Sequence, residues 1–241
     1  MTFAYARLFI IYGMIKMERE QTNIPGLDEI IGGGIPKGDV VLLSGTCGAG
    51  KTIFGLQFLC MSDEPGIYVS FEEDTEKLRS TAQMLGWDVK KMEDDNKIRF
   101  LRYDPFKIED VFDIVESTIR EIDAKRIVID SVSALGIYVK DPSELRRMIL
   151  QISSMLRKNS CTSIMISEII PGTEKLSRFE VEEFVSDGVI LLHNMMAGGE
   201  YRRAVSIWKM RSTEHSKKIH PYKISSEGFT VYPEDTVKSK F

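Results

Sequence analysis

The sequence predicts an α/β fold, a mostly parallel central sheet flanked by helices that finishes in antiparallel strands, and three observations predict it. Apolar runs rich in β-formers alternate with helical patterns between residues 40 and 167. A glycine-rich loop stands between the first such run and the first such helix. Beyond residue 168 the rhythm changes: 188–192, 201–210, 221–224 and 229–232 are strand-like, with no long helix between them.

The elements follow in order. A glycine and proline cluster at 32–39 delivers the chain to a buried strand, Val40-Val41-Leu42-Leu43. Residues 52–61 form a helix that ends before Glu64-Pro65-Gly66, and 67–71 is a short strand. Thr75 can cap a helix that places Leu78, Ala82 and Leu85 on one face and stops at Gly86. Residues 98–101 make a weaker strand. Phe112, Val115, Ile119 and Ile122 at helical spacing give the next helix, and Arg126-Ile127-Val128-Ile129-Asp130 is a buried strand ending in a carboxylate. Asp141-Pro142-Ser143-Glu144 combines an N-cap, a proline at the first helical position and an acid at the third, so a helix runs to about residue 158. Residues 162–167 close the parallel set.

With 241 residues the chain is long enough for one large domain, expected over 17–241. Lys+Arg number 32 against 36 Asp+Glu, so the net charge of -4 gives no global attraction to nucleic acid or anionic membrane. Cys47, Cys60 and Cys161 are scattered, without metal-ligand spacing or a disulfide framework, which suggests a reduced, cytoplasmic setting. Residues 1–16 carry an apolar run, Leu8 to Ile15, too short for the roughly 20 residues of a membrane span. They are expected to be a dispensable extension, with Met17 an alternative start, or else an edge strand or docking segment.

The loop is Gly45-Thr46-Cys47-Gly48-Ala49-Gly50-Lys51-Thr52, a complete G-x-x-x-x-G-K-[ST] pattern in the strand, loop, helix order that phosphate binding requires. Its backbone N–H groups can converge on phosphate oxygens at the positive end of the following helix. Lys51 would reach the β- and γ-phosphates and Thr52 would place its hydroxyl on Mg²⁺, so the expected ligand is a magnesium nucleoside triphosphate, ATP. Asp130, at the carboxyl end of an apolar strand, is placed to hold the magnesium shell, through water. Glu72 and Glu73 follow a strand and emerge at the same edge; one of them is the candidate for activating water, and extended geometry lets only one face the nucleotide easily. Ser167 and Glu168 occupy a strand end where a polar residue could sense the γ-phosphate. Lys209 and Arg211, two apart, share one face. Read alone, they are better explained as edge-strand cations that discourage aggregation.

Several of these stretches together carry a resemblance. Pro25-Gly26-Leu27-Asp28, the phosphate loop, Phe71-Glu72-Glu73, Val128 to Leu135, Glu182-Glu183-Phe184-Val185-Ser186-Asp187 and Lys209-Met210-Arg211-Ser212-Thr213-Glu214-His215 resemble, in that order, one repeat of the KaiC-like ATPases of the RecA superfamily. The likeness spans about residues 18–233. It implies a RecA-type core whose ATP lies between subunits of a ring or filament, with a hexamer the expected ring. It also implies Glu72 and Glu73 as the catalytic pair, and Lys209 and Arg211 reaching the γ-phosphate on the adjacent protomer, which reverses the edge-strand reading. His215 matches a family position too. There is one repeat here, so the double ring of the circadian protein does not transfer. Glu182-Glu183-Phe184 stands where the self-phosphorylating repeat has a Ser-Thr pair, which argues against self-kinase activity.

The expected function is slow Mg-dependent ATP hydrolysis that changes subunit contacts and the binding of a further protein partner. The rival is a non-hydrolysing, ATP-dependent recombinase-paralogue or signalling module with single-stranded DNA contact. DNA is not favoured: the loop 169–183 holds Lys175 and Arg178 against Glu174, Glu180, Glu182 and Glu183, and Phe179 alone offers a base a stacking surface.

Overall fold

The computed structural model describes residues 17–103, 108–139, 141–197 and 199–237. The extension expected at 1–16 therefore lies outside the described residues. The chain begins with β1 (Arg19–Glu20), α1 (Leu27–Ile30) and β2 (Ile35–Pro36), where β1 and β2 pair as a small antiparallel ribbon. There follow β3 (Val40–Gly45), α2 (Lys51–Cys60), β4 (Gly66–Ser70), α3 (Thr75–Met84), α4 (Val89–Asp94), β5 (Ile98–Arg102) and α5 (Ile108–Ile122). Then come β6 (Arg126–Asp130), α6 (Val132–Tyr138), α7 (Pro142–Lys158), β7 (Thr162–Glu168) and α8 (Glu182–Val185). The last elements are β8 (Gly188–Ala197), β9 (Glu200–Met210), β10 (Ile219–Ser225) and β11 (Gly228–Val231).

Nine strands form one sheet in the order β11-β10-β9-β8-β3-β7-β6-β4-β5. Pairs from β8 through β5 are parallel, and β8-β9-β10-β11 are antiparallel. The predicted architecture is therefore the observed one. Strand alternation divides the core: Val41, Leu43, Tyr68, Val128 and Ile164 face α2 with Phe54 and Phe58, while Val40, Leu42, Ile67, Val69 and Ile127 face the layer of α5 and α7. Each of these side chains removed from water contributes about 1.5–3 kcal/mol, which is why β3 and its neighbours read as continuous apolar runs.

One local expectation changes, and two short helices appear that the sequence patterns did not announce. The cap of α3 is Asp74, whose carboxylate accepts Glu76 N at 2.9 Å, and Thr75 is already helical. A short helix, α4, is capped by Asp88, whose carboxylate accepts Lys91 N at 3.1 Å. The apolar stretch after Asp130 is α6, a helix of 7 residues that its few side chains did not announce as periodic.

Long-range ties fix the ends of the sheet. Arg126 reaches Glu20 as a buried ion pair and covers the Phe58 ring at 4.7 Å, joining β1 to β6. Gln57 of α2 donates to Phe229 O at 3.0 Å and accepts Phe229 N at 2.6 Å, so its amide satisfies the edge strand β11 as a neighbouring strand would. Tyr222 of β10 donates to Ala49 O in the phosphate loop at 2.6 Å. Gly26 (φ 76°) packs so closely under β11 that a Cβ there would stand 2.2 Å from Val231 O.

Candidate nucleotide site

The phosphate loop leaves β3 at Gly45 and enters α2 at Lys51. Gly48 and Gly50 have φ of 77° and 88°, a conformation glycine takes without steric cost. The first turn of α2 carries no acid, so its unpaired N–H groups present a positive end to the cleft. Lys51 Nζ donates to Gly45 O at 2.9 Å and Thr46 O at 3.0 Å, which folds the ammonium across the loop. Burial lowers its pKa, and Glu168 and Asp130 oppose that shift.

Around the loop lies a cleft of about 660 Å³, within the range of ligand pockets. Cys47, Gly48, Gly50, Lys51 and Thr52 line it from the loop, Glu72 and Glu73 from the end of β4, Asp130 from β6, and Glu168 from β7. Parallel strands put all these ends on the same edge, because β3, β7, β6 and β4 run side by side in register.

Asp130 Oδ2 accepts Thr52 Oγ1 at 3.2 Å and the hydroxyl of fully buried Tyr68. Burial pushes the Asp130 carboxyl up to about 6; Glu72 adds to the rise, whereas the two hydroxyls and Lys51 oppose it. Tyr68 is itself pushed well above the usual phenol range by burial and by Asp130.

Glu72 and Glu73 both line the cleft, which corrects the expectation that only one could face it easily. The chain is no longer extended there. Ser70 Oγ donates to Glu73 O at 2.7 Å and accepts Glu73 N at 2.9 Å, bending residues 71–73 back over the edge. Glu72 accepts Ser131 Oγ at 3.1 Å. Of the Ser167-Glu168 pair, only Glu168 reaches the cleft; Ser167 is buried behind it.

Lys209 and Arg211 are not in this cleft. Lys209 pairs with Val189 at the start of β8, at the opposite edge of the sheet, so about 20 Å of strand separates it from Arg203. Lys209 Nζ donates to Glu183 O at 3.1 Å and to Ser186 O, and Arg211 Nη1 pairs with Asp187 Oδ1 at 3.0 Å. Burial lowers the Lys209 pKa, and neighbouring Arg211 lowers it further. His215 is buried and holds Ser216 O and Lys217.

Sequence reading missed Lys77, Ser131, Arg203 and Ile224, all at the cleft. Arg203 Nη2 donates to Gly48 O at 3.3 Å. Its signal was the hairpin register: Gly45 pairs with Leu192, and Asn194, two residues on, pairs with Arg203.

The raised Asp130 carboxyl predicts a pH-dependent cost. Its folded pKa, about 6, exceeds the ordinary value of 3.8, so the folded state holds the proton more tightly and stability falls as pH rises through that window. Asp130→Asn is expected to stabilise the metal-free, nucleotide-free protein by about 1–3 kcal/mol at pH 7. The gain should vanish below about pH 4. Urea melts at both pH values check this, and equal gains at both would exclude the carboxylate's charge as the cause.

A glycine loop at the end of a buried parallel strand, with a hydroxyl and a carboxylate meeting beside it at the same sheet edge, defines a RecA-type phosphate-binding α/β protein. The chain belongs to the KaiC ATPase family, whose model, described as "ATPase: KaiC", matches residues 20–236. A UPF0273 protein of Pyrococcus furiosus is 40% identical, over 92% of this chain and 97% of that protein. The circadian clock oscillator protein KaiC of Picosynechococcus is 36% identical over 92% of this chain but only 46% of its own length, so this chain spans about half of it. The crystal structure of a KaiC-like protein from Pyrococcus horikoshii is similar with a TM-score of 0.84 and 37% identity, covering 90% of this chain and all of that one. Among the described residues, no helix is long and apolar enough to cross a membrane.

Proposed function

We propose that this chain binds Mg-ATP and hydrolyses it slowly at a subunit interface, as a nucleotide-driven switch or assembly module. One observation carries the reading: loop, hydroxyl and carboxylates gather in one cleft, while Lys209 and Arg211 lie at the opposite sheet edge, which is consistent with their serving the cleft of a second copy. The residues fit the ligand. Among the described residues Lys51 bonds to two loop carbonyls, a posture easily exchanged for phosphate oxygens. Thr52 and Asp130 offer adjacent hard oxygens of the kind Mg²⁺ takes alongside phosphates.

Bound Mg-ATP would supply the γ-phosphoryl group that passes to water, with ADP as the leaving group, and the metal charge that polarises it. The loop amides and Lys51 hold the phosphates and absorb developing negative charge. Thr52 and Asp130 orient the magnesium shell. Glu72 and Glu73 face the same space; one orients the attacking water and takes its proton. Lys209 and Arg211, from the adjacent protomer, complete the charge around the γ-phosphate.

DNA contact is less well supported. Phe179 packs against Gly136, whose Cβ, if present, would lie 2.1 Å from the ring, and Lys175 pairs with Glu180 at 2.6 Å. Purified protein should release phosphate from ATP only with Mg²⁺, show little response to single-stranded DNA, and scatter light as an oligomer with ATP. Background release with and without DNA would favour the non-hydrolysing alternative. A strict monomer with ATP, ADP or no nucleotide would remove the interface.

A further inference from the structure

Between the cleft and the two distant cations lies a buried polar connection that the proposed chemistry does not use. Its centre is Glu182, the first residue of α8, which is fully buried although it is a carboxylate. A charge taken out of water is costly unless its oxygens are bonded, and here both are. Oε1 accepts Ser167 Oγ at 3.0 Å, and Oε2 accepts Val181 N at 3.2 Å and Phe179 N at 3.3 Å and shares the Ser177 hydroxyl, 2.7 Å away, with the Glu183 carboxylate.

On one side this carboxylate leads to the nucleotide cleft. Ser167 Oγ lies 3.3 Å from Ser133 Oγ, and Ser133 Oγ accepts the backbone N–H of Glu168, a cleft residue, at 2.9 Å. Two residues before Ser133, Ser131 holds the carboxylate of Glu72. On the other side it leads to the cations. Ser186 Oγ donates to Glu182 O at 2.8 Å, closing the single turn of α8, and the carbonyls of Glu183 and Ser186 are the two acceptors of Lys209 Nζ. Asp187, next in the chain, holds Arg211 through its carboxylate and accepts Arg211 N at 3.0 Å. The segment 182–187 therefore touches the back wall of one site and carries the groups proposed to serve the next.

We propose that Glu182 is a positioning residue that couples occupancy of a protomer's own cleft to the placement of Lys209 and Arg211 toward the adjacent protomer. The proposal rests on the reading of those cations given above. A triphosphate that repels the carboxylate of Glu168 or Glu72, or shifts it through a bridging water, moves Ser133 and Ser167, and Glu182 passes the movement to the turn whose carbonyls seat Lys209. Apolar residues would have packed α8 without the cost of a buried charge. A carboxylate with Ser167 on one oxygen and the loop on the other ties β7 to the turn of α8 through a single side chain, so a shift of one is felt by the other.

Hydrogen exchange on the full-length protein tests this without relying on turnover. The probe is Mg²⁺ with a non-hydrolysable ATP analogue, applied to the wild type, Ser167→Ala and Glu182→Gln. Ser167→Ala removes the link to β7 and leaves Glu182 its other three donors. Glu182→Gln keeps the shape and exchanges one acceptor for a donor. In the wild type, ligand should slow exchange in the phosphate loop, 46–52, and also at 182–187. In both variants the loop response should persist while the response at 182–187 shrinks about 3- to 10-fold. Thermal melts identify any variant that fails to fold, and the other then decides. An unchanged response at 182–187 in a folded variant overturns the coupling, as does a wild type protected in the loop and silent at 182–187. A wild type with no protection in the loop would instead overturn the nucleotide site, and the coupling with it.

Discussion

Lys51→Ala should lower phosphate release by at least about 10²-fold and weaken nucleotide binding, with the fold intact. Lys51 Nζ sits inside the loop on two backbone carbonyls, and burial already depresses its pKa, so its charge is poorly solvated until an anion arrives. Differential stabilisation is then large, because the ammonium gains most when negative charge builds on the phosphates. Lys77 and Arg203 also line the cleft, but one stands on α3 and the other bonds to Gly48 O from β9, so neither can take its place under the loop. The variant should melt at or slightly above the wild-type temperature, since a desolvated charge has been removed. Phosphate release, nucleotide titration and a melting curve check the three parts together, and normal turnover in a folded variant would sink the site assignment.

The double replacement Lys209→Ala with Arg211→Ala should leave nucleotide binding nearly intact and reduce turnover by about 10³ to 10⁵, the range for a charge supplied in trans. Stability should change little, for Arg211 is half-exposed in its pair with Asp187 and exposed pairs are weak. The sharper outcome comes from mixing this variant with Lys51→Ala. Each is inactive alone, yet an interface pairing an intact cleft with a neighbour's intact cations should work. Random assembly of equal amounts makes about one interface in four competent, so roughly a quarter of wild-type turnover is expected. No recovery, with mixed assemblies shown to form, would mean that the cations do not act across an interface.

The sequence carried the parallel core well because burial on both faces leaves little choice of residue: Val40 to Leu43 and Ile127 to Ile129 are apolar without interruption and became β3 and β6. Strand ends at one sheet edge then placed Asp130 and Glu168 beside Thr52, which stands in the first turn of the helix after the loop, by topology alone. What sequence could not supply was geometry set by single hydroxyls. Ser70 bends the chain so that Glu72 and Glu73 share a cleft that alternation would have split between them. Asp74 rather than Thr75 caps α3, its carboxylate accepting Glu76 N, a choice that two adjacent good capping residues leave open in the sequence. Arg203 was invisible for another reason: its place beside Gly48 depends on the register of an antiparallel hairpin, and local patterns do not fix register across strands.

Gln57 and Tyr222 put the phosphate loop under the control of the far end of the chain. The helix that follows the loop is fastened through Gln57 to β11, and the loop itself through Tyr222 to β10. A fragment ending before residue 219 would keep every motif residue, from Gly45 to Arg211, and lose both fastenings. Possessing the motifs and possessing a rigid phosphate cradle are thus separable properties in this protein, and the second belongs to two strands that carry none of the proposed chemistry.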